Sequence, residues 1–410
     1  MANEEKDGVV IIGAGQAAGQ AIASLRQEGF EGPITLIGDE AYLPYQRPPL
    51  SKKFLAGELP AERLYLKPDA FYEKSQVDLS LNAIVAKIDP AGHTVTTEDG
   101  RTLPYWKLIL ATGSRVRKLP LPGADLAGIH YLRNIADVDR LREECQPGKR
   151  LVVVGGGYIG LEVAAVAVKL GLQVTVIETA GHVMSRVVDP IVSEFYERVH
   201  AEEGVEIRLN SAVEGFAGEG RVEAVVCGEN ESVPADLVLI GVGIVPNVEL
   251  AKEAGLEVND GIVVDELCRT SDPDIFAAGD CTNHPNAIYG QRLRLESVHN
   301  AIEQGKTAAA TLMGKEKPYN QAPWFWSDQY DCKLQIVGLS SGYTQAVVRG
   351  DPEAGRSFAV YYLKHGKLIA VDAVNRAPEF MAARMQVAQG VHLDPERIMD
   401  ESISVKELAG

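Results

Sequence analysis

The chain has 410 residues, 46% hydrophobic and 24% charged, the composition of a globular protein of about two to four domains and not of a disordered or fibrous one. Its formal net charge of −17 argues against nucleic acid or an anionic membrane as the main partner. Five scattered cysteines, Cys145, Cys227, Cys268, Cys281 and Cys332, form no C-x-x-C pair, so a disulfide framework and a clustered metal site are disfavoured and a reducing, cytoplasmic setting is expected.

The polar, acidic start, residues 1–8, has no apolar signal core. The first strand is Val9-Val10-Ile11-Ile12. A Gly-rich turn, Gly13-Ala14-Gly15-Gln16-Ala17-Ala18, follows it, then a helix through Leu25 and a strand Ile34-Thr35-Leu36-Ile37. A further strand, Leu108-Ile-Leu-Ala-Thr-Gly113, ends in Ala-Thr-Gly. Turn signals at Pro120-Leu-Pro-Gly123 and Gln146-Pro-Gly148 precede a second copy of the first pattern. That copy has the strand Leu151-Val152-Val153-Val154, the turn Gly155-Gly156-Gly157-Tyr158-Ile159-Gly160, a helix through Leu170 and the strand Val174-Thr175-Val176-Ile177. Residues 151–168 are the most apolar long stretch, yet they hold four glycines and Glu162. A buried strand–turn–helix reads this way; a membrane span does not. Apolar strands alternating with helices predict parallel sheets covered on both faces. After Asn320 the texture changes to aromatic and alternating runs, residues 358–363 and 368–374, which predict antiparallel strands of a smaller domain.

The two turns carry the chemistry. Gly13 permits a tight turn, Gly15 lets a pyrophosphate approach the backbone, and Ala18 lets helix and strand pack closely. The helix N-terminus then offers N–H groups and partial positive charge to phosphates. Roughly 20 residues on, Asp39 or Glu40 is placed to bind the adenine-ribose hydroxyls, with Asp39 favoured. This segment alone fits FAD or NAD. In the second copy Gly155, Gly157 and Gly160 repeat the logic, and Glu178 ends the following strand. A carboxylate there bonds both ribose hydroxyls of NAD and repels the 2′-phosphate of NADP. The nearest downstream arginine is Arg186, so NADH is the expected nucleotide.

With its Ala-Thr-Gly strand end and the strand closing in Gly279-Asp280, the chain resembles the FAD/NAD-linked pyridine nucleotide-disulfide reductase superfamily. The resemblance implies that Ala111, Thr112 and Gly113 close an FAD site and that the Asp280 carboxylate, after Gly279, binds FAD. It implies that Gly241, Val242 and Gly243 close an NAD domain inserted into a discontinuous FAD domain. The expected fold is α/β, two Rossmann-like domains plus a small α+β C-terminal domain. The expected divisions are residues 7–114 and 246–321 for FAD, 115–245 for NAD and 322–410 for the C-terminal domain. Disulfide reductases of the superfamily need a redox cysteine pair, and its single-cysteine members carry theirs in the first flavin-binding region. Here no cysteine precedes Cys145. Electrons must therefore leave the flavin directly for an external acceptor, and an iron–sulfur centre is such an acceptor.

Three further segments narrow the resemblance: Arg47-Pro-Pro-Leu-Ser-Lys52, Glu296-Ser-Val298 and Pro323-Trp-Phe-Trp-Ser-Asp-Gln-Tyr330. They are similar to the oxygenase-coupled ferredoxin reductases, a group that includes the reductase components of Rieske-type dioxygenases. The likeness spans essentially the whole chain. It implies hydride transfer from NADH to FAD, then single electrons to a [2Fe–2S] ferredoxin that feeds an oxygenase. Lys52 is expected near the reactive flavin edge and paired with Glu162, which faces the nicotinamide. Arg47 and Pro48 are expected to line the flavin, Arg133 to meet its pyrophosphate, and the Val298 backbone its pyrimidine end. Ala17, Ile84 and Ser297 complete the FAD set. Tyr158 and Ile159 join the NAD set, and Glu296 is expected near the nicotinamide amide. Trp326 is expected near the flavin and the ferredoxin-facing surface. An acidic ferredoxin would dock on a local basic patch, for which Lys67, Lys306, Arg292, Arg294 and Lys333 are candidates; a monomer or weak homodimer is expected. The alternatives are a rubredoxin reductase and a redox-sensing interaction flavoprotein of the apoptosis-inducing-factor type.

Overall fold

The computed structural model describes residues 8–228 and 231–409. Residues 1–7, part of the segment expected to lack a signal core and including the expected domain start at residue 7, lie outside them. The chain divides into two compact units. The first contains residues up to 46, 62–115 and 245–323; the second contains residues 47–61, 116–244 and those from 324 onward. The segment 47–61, expected inside the first flavin stretch, clusters with the second unit.

In the first unit Val9–Ile12 lies at the centre of a five-stranded parallel sheet. Ile34–Ile37 and Lys107–Leu110 flank it, with Val77–Ser80 and Ile275–Ala277 at the edges. All four residues of the central strand are buried, because both faces of a parallel sheet are covered. On one face Ile11, Leu36 and Ile109 pack with Ala18, Ile22 and Leu25 of the helix Gln16–Gln27 and Ala308 and Leu312 of the helix Val298–Leu312. Gly305 lets these helices meet closely, since a Cβ there would lie 2.7 Å from the Ala17 carbonyl oxygen. On the other face Val10, Ile12, Leu108 and Leu110 pack with Val85, Ile88 and Val95 of a small antiparallel sheet.

In the second unit Arg150–Val154 lies at the centre of another five-stranded parallel sheet, between Gln173–Ile177 and Leu237–Ile240. The chain ends in a five-stranded antiparallel sheet with the order Trp324–Gln329, Cys332–Gly338, Lys367–Val374, Phe358–Lys364, Gln345–Gly350. The antiparallel pairing is as expected. Residues 358–363 are all buried. Both faces are covered: Phe195 packs its ring 4.9 Å from Phe358, and on the opposite face Phe380 of the helix Ala377–Gln389 packs 5.8 Å from Trp324. The final segment is tied down by buried Arg349, whose guanidinium donates to the carbonyls of Ile398 and Asp400 at 2.8 and 2.7 Å. Among the described residues no helix is long and apolar enough to cross a membrane.

His284, in the strand Thr282–Asn286, is buried beside Tyr319, and neither ring nitrogen has a hydrogen-bond partner. Burial, helped by nearby Arg292, lowers its pKa to about 4. The folded value lies below the unfolded one, so between these values the unfolded chain binds more protons. Stability is therefore lost as pH falls from about 6.5 toward 4. His284→Phe should gain about 2 kcal/mol relative to the wild type on moving from pH 7.5 to pH 5, measured by denaturant unfolding. An equal difference at both pH values would contradict this.

Candidate functional site

Each Gly-rich turn is built by the same backbone constraint. Gly13 has φ +102°, and a Cβ on it would lie 2.2 Å from the Ala111 carbonyl oxygen. Gly155 has φ +105°, and its Cβ would lie 2.6 Å from the Gly241 carbonyl oxygen. Thus in each unit the turn is packed directly on the strand-end motif picked out in the sequence. In the second turn the third glycine is also obligatory, since a Cβ on Gly160 would meet the Gly155 carbonyl oxygen at 2.3 Å. The first turn accommodates Ala18 at the equivalent place, fully buried.

The space in front of both turns fits a dinucleotide. Gly15 and Gly157 are the N-caps of the helices Gln16–Gln27 and Tyr158–Lys169, and neither end carries a side-chain cap. A Cβ on either glycine would meet nothing within 4 Å. Helix N–H groups facing open space are the donors a pyrophosphate needs. Ile84 in the first unit and Ile159 in the second are 50% and 40% exposed.

Around the first turn, the Thr112 hydroxyl donates to the Asn247 carbonyl at 2.7 Å, and the Asn247 amide donates to the Thr112 carbonyl at 2.9 Å. This lock holds Ala111, Thr112 and Gly113 in place. Asp280 accepts from the Ser114 hydroxyl at 2.9 Å. Gln304 fixes the preceding turn: its Oε1 accepts from the Gly279 N–H at 2.7 Å and the Thr282 hydroxyl at 2.8 Å. Ser297 caps the helix Val298–Leu312 through the Asn300 N–H at 3.1 Å. Asp39 is exposed, and Glu40 accepts from the Tyr45 hydroxyl at 2.6 Å. Glu296 pairs with Arg294.

Around the second turn, Glu178 is held in place by three hydrogen bonds. It accepts from the Gly156 N–H at 2.7 Å, the Ala180 N–H at 2.9 Å and the Thr179 hydroxyl at 3.1 Å. The fold also brings up an arginine that the local sequence hides. Arg208 lies on the next strand, and its carbonyl accepts from the Glu178 N–H at 2.8 Å. Its guanidinium, however, is engaged by Glu206 and Glu231 at 2.8 and 2.5 Å.

The predicted Lys52–Glu162 pair is present, with Nζ 2.6 Å from Oε2. Glu162 is 4% exposed and needs compensation for its charge. It receives two more donors that the sequence reading missed, the Ser51 hydroxyl at 2.5 Å and the Ser327 hydroxyl at 2.6 Å. Lys52 also donates to the Pro48 carbonyl at 3.1 Å. Arg47 and Arg133 come together, the guanidinium of Arg47 donating to the Arg133 carbonyl at 2.7 Å. Trp326 is half-buried with its ring 5.7 Å from that of Trp324. Of the basic-patch candidates, Arg294 pairs with Asp260 and Glu296, and Lys306 with Glu303. Arg292 donates to the Val264 carbonyl and the Asn283 side chain.

Residues 7–305 match the pyridine nucleotide-disulphide oxidoreductase family, and residues 324–409 match the reductase C-terminal family. The chain belongs to the pyridine nucleotide-disulphide oxidoreductase family. Putidaredoxin reductase CamA from Pseudomonas putida is 44% identical over 408 residues, 98% of this chain and 96% of that protein. Rubredoxin-NAD(+) reductase from the same organism is 41% identical over 368 residues, 90% of this chain and 95% of that protein. The crystal structure of the covalent putidaredoxin reductase–putidaredoxin complex matches with a TM-score of 0.95 at 43% identity, covering 100% of this chain and 98% of that one. The family implies FAD and NAD(P)H, two groups that the two open, uncapped turns fit. This oxidoreductase has no disulfide. All five cysteines are free and all but Cys145 are buried. Burial pushes the thiols of Cys145 and Cys332 up to about 11 and about 12.

Gly155→Ala should weaken nucleotide binding about tenfold or more while flavin content stays near wild type, because strain and clash are confined to the second turn. Equilibrium NADH titration and the ratio of flavin to protein absorbance check this. Flavin loss with unchanged nucleotide binding would contradict it.

Proposed function

We propose that this chain is an NADH:ferredoxin oxidoreductase of an oxygenase system, catalysing NADH + 2 oxidised ferredoxin → NAD⁺ + H⁺ + 2 reduced ferredoxin. The observation that carries the reading is likeness to putidaredoxin reductase along the whole chain, C-terminal domain included, in a protein without a thiol pair. Bound FAD supplies the conversion of a two-electron donor into one-electron deliveries. The protein's own tasks are orientation and electrostatics.

In this reading Gly13, Gly15 and the helix behind them hold the FAD pyrophosphate, and Asp280 accepts from its ribitol. Gly155, Gly157, Gly160 and Glu178 hold NADH. The preference for NADH rests on Glu178, fixed by three donors and unwelcoming to a 2′-phosphate, while Arg208 is already neutralised by two carboxylates. Lys52, with Glu162 as counter-ion, supplies positive charge where negative charge develops on reduction. The acceptor is a [2Fe–2S] ferredoxin that serves a Rieske dioxygenase or a haem-thiolate monooxygenase. It docks on local positive charge, for which Lys67 and Lys333 remain after the engaged Arg292, Arg294 and Lys306 are set aside. The five unpaired thiols support a cytoplasmic location. A rubredoxin acceptor is the second reading, favoured by the 41% identity to a rubredoxin reductase.

A panel of [2Fe–2S] ferredoxins and rubredoxins, tested as acceptors with NADH, should show turnover on a ferredoxin. Turnover on rubredoxins alone would select the second reading, and turnover on none would sink both. Lys52→Ala should slow flavin reduction in stopped flow about a hundredfold with FAD retained, and an unchanged rate would remove Lys52 from the chemistry. Wild-type kcat/KM should favour NADH over NADPH by about tenfold or more; equal values would refute the role of Glu178.

A further inference from the structure

Glu162 accepts Lys52 and Ser51 on one oxygen, Oε2, and Ser327 on the other, Oε1. Ser327 is not the end of the line. Its Oγ accepts from the Gln329 amide Nε2 at 3.2 Å. The Gln329 Oε1 lies 2.8 Å from His200 Nε2, and His200 Nδ1 lies 3.0 Å from the Tyr330 hydroxyl. Ser327, Gln329 and His200 are essentially inaccessible to solvent, at 0%, 1% and 0% exposure.

One end of this chain dictates every direction in it. A carboxylate only accepts, so the Ser327 hydroxyl must give its proton to Glu162. Its lone pair is then filled by the Gln329 N–H, which turns the Gln329 carbonyl toward His200. His200 must carry its proton on Nε2 to satisfy that carbonyl, leaving Nδ1 to accept from Tyr330. Burial keeps the ring neutral, lowering its pKa to about 4 against the smaller opposing effects of Gln329 and Glu203. Tyr330 reaches the ring from a left-handed backbone, φ +56°, a conformation a bulky residue seldom adopts. All four donors point toward the carboxylate, and aligned hydrogen bonds polarise one another. The amide of Gln329 interrupts any proton relay, so the chain holds charge and geometry and does not move protons.

We propose that Ser327, Gln329, His200 and Tyr330 are positioning residues for the reductase reaction, holding the Glu162 carboxylate fixed so that it in turn fixes Lys52. The reach of the array explains why a C-terminal sheet belongs to a nucleotide domain: Ser327, Gln329 and Tyr330 come from the strand Trp324–Gln329 and its turn, His200 from the helix Pro190–Glu202 and Glu162 from the helix Tyr158–Lys169. The role rests on the ferredoxin-reductase reading; the hydrogen-bond chain itself does not.

The test uses the full-length flavoprotein with Ser327→Ala, Ser327→Thr and Tyr330→Phe. Nitrogen-15 NMR of the histidine rings should show wild-type His200 as the neutral Nε2–H tautomer from pH 5 to pH 8. That signature should be lost to a mixture of tautomers in Ser327→Ala and Tyr330→Phe. Stopped-flow flavin reduction at saturating NADH should slow about tenfold in Ser327→Ala and about twofold in Tyr330→Phe, with NADH affinity changed less than about twofold. Ser327→Thr, which keeps the hydroxyl, should restore both readouts. A wild-type His200 protonated on Nδ1 would overturn the chain. An unchanged reduction rate in Ser327→Ala, with only the melting temperature lowered, would overturn the positioning role. A wild type that NADH cannot reduce would overturn the reductase reading and the role with it, while the tautomer would still report on the chain. Should Ser327→Ala fail to fold, Tyr330→Phe alone decides, since it removes only the half-buried outer donor.

Discussion

A phosphate approaches a helix N-terminus only if nothing stands in front of it. This constraint organises both units. The N–H groups of the helices Gln16–Gln27 and Tyr158–Lys169 are left without a side-chain cap, at Gly15 and Gly157, where most helices would place Ser, Thr or Asp. Such an end is costly in isolation and becomes reasonable when an anion satisfies it. The turn that delivers each helix must be tight, and tightness comes from Gly13 and Gly155 lying against the ends of neighbouring strands, at Ala111 and Gly241. The motifs Ala111–Thr112–Gly113 and Gly241–Val242–Gly243 are thus the other half of the same contact.

The second organising element is a buried charge. Glu162 is kept in an apolar helix by one cation and two hydroxyls, and removing any partner leaves a buried carboxylate short of a donor. Its donors come from segments far apart in sequence, so the charge acts as a geometric pin for residues 47–61, the nucleotide helix and the terminal sheet. A chain of net charge −17 thereby concentrates an ordered positive group, Lys52, where its proposed chemistry needs one.

Much of this was legible in the sequence, and the reason is local. A Gly-rich turn between an apolar strand and a helix is written in consecutive residues, so the two turns, their strands and the strand-end motifs could be read directly. The Lys52–Glu162 pair came through family resemblance. Ser51 and Ser327 were overlooked, although each stands inside a motif that was quoted, because a serine is informative only when its partner is known. Gln304 gave no signal at all: it acts on Gly279 from a helix 25 residues later. Arg208 was invisible for the same reason, since strand register and not sequence distance puts it beside Glu178. Sequence also does not show a charge's neighbours: Arg294 and Lys306, candidates for a basic patch, pair with Asp260, Glu296 and Glu303, and Arg292 bonds the Val264 carbonyl and Asn283. The full burial of residues 358–363 was not legible either, because alternation reports which residues share a face, not whether a second layer covers the other.

One nucleotide should supply two single electrons to an iron–sulfur carrier. An anaerobic stoichiometry experiment measures this: a limiting amount of NADH is mixed with catalytic flavoprotein and excess oxidised [2Fe–2S] ferredoxin, and reduced cluster is counted by electron paramagnetic resonance. Two reduced ferredoxins should appear for each NADH consumed. NADH consumption without any reduced cluster, across ferredoxins of differing surface charge, would contradict it.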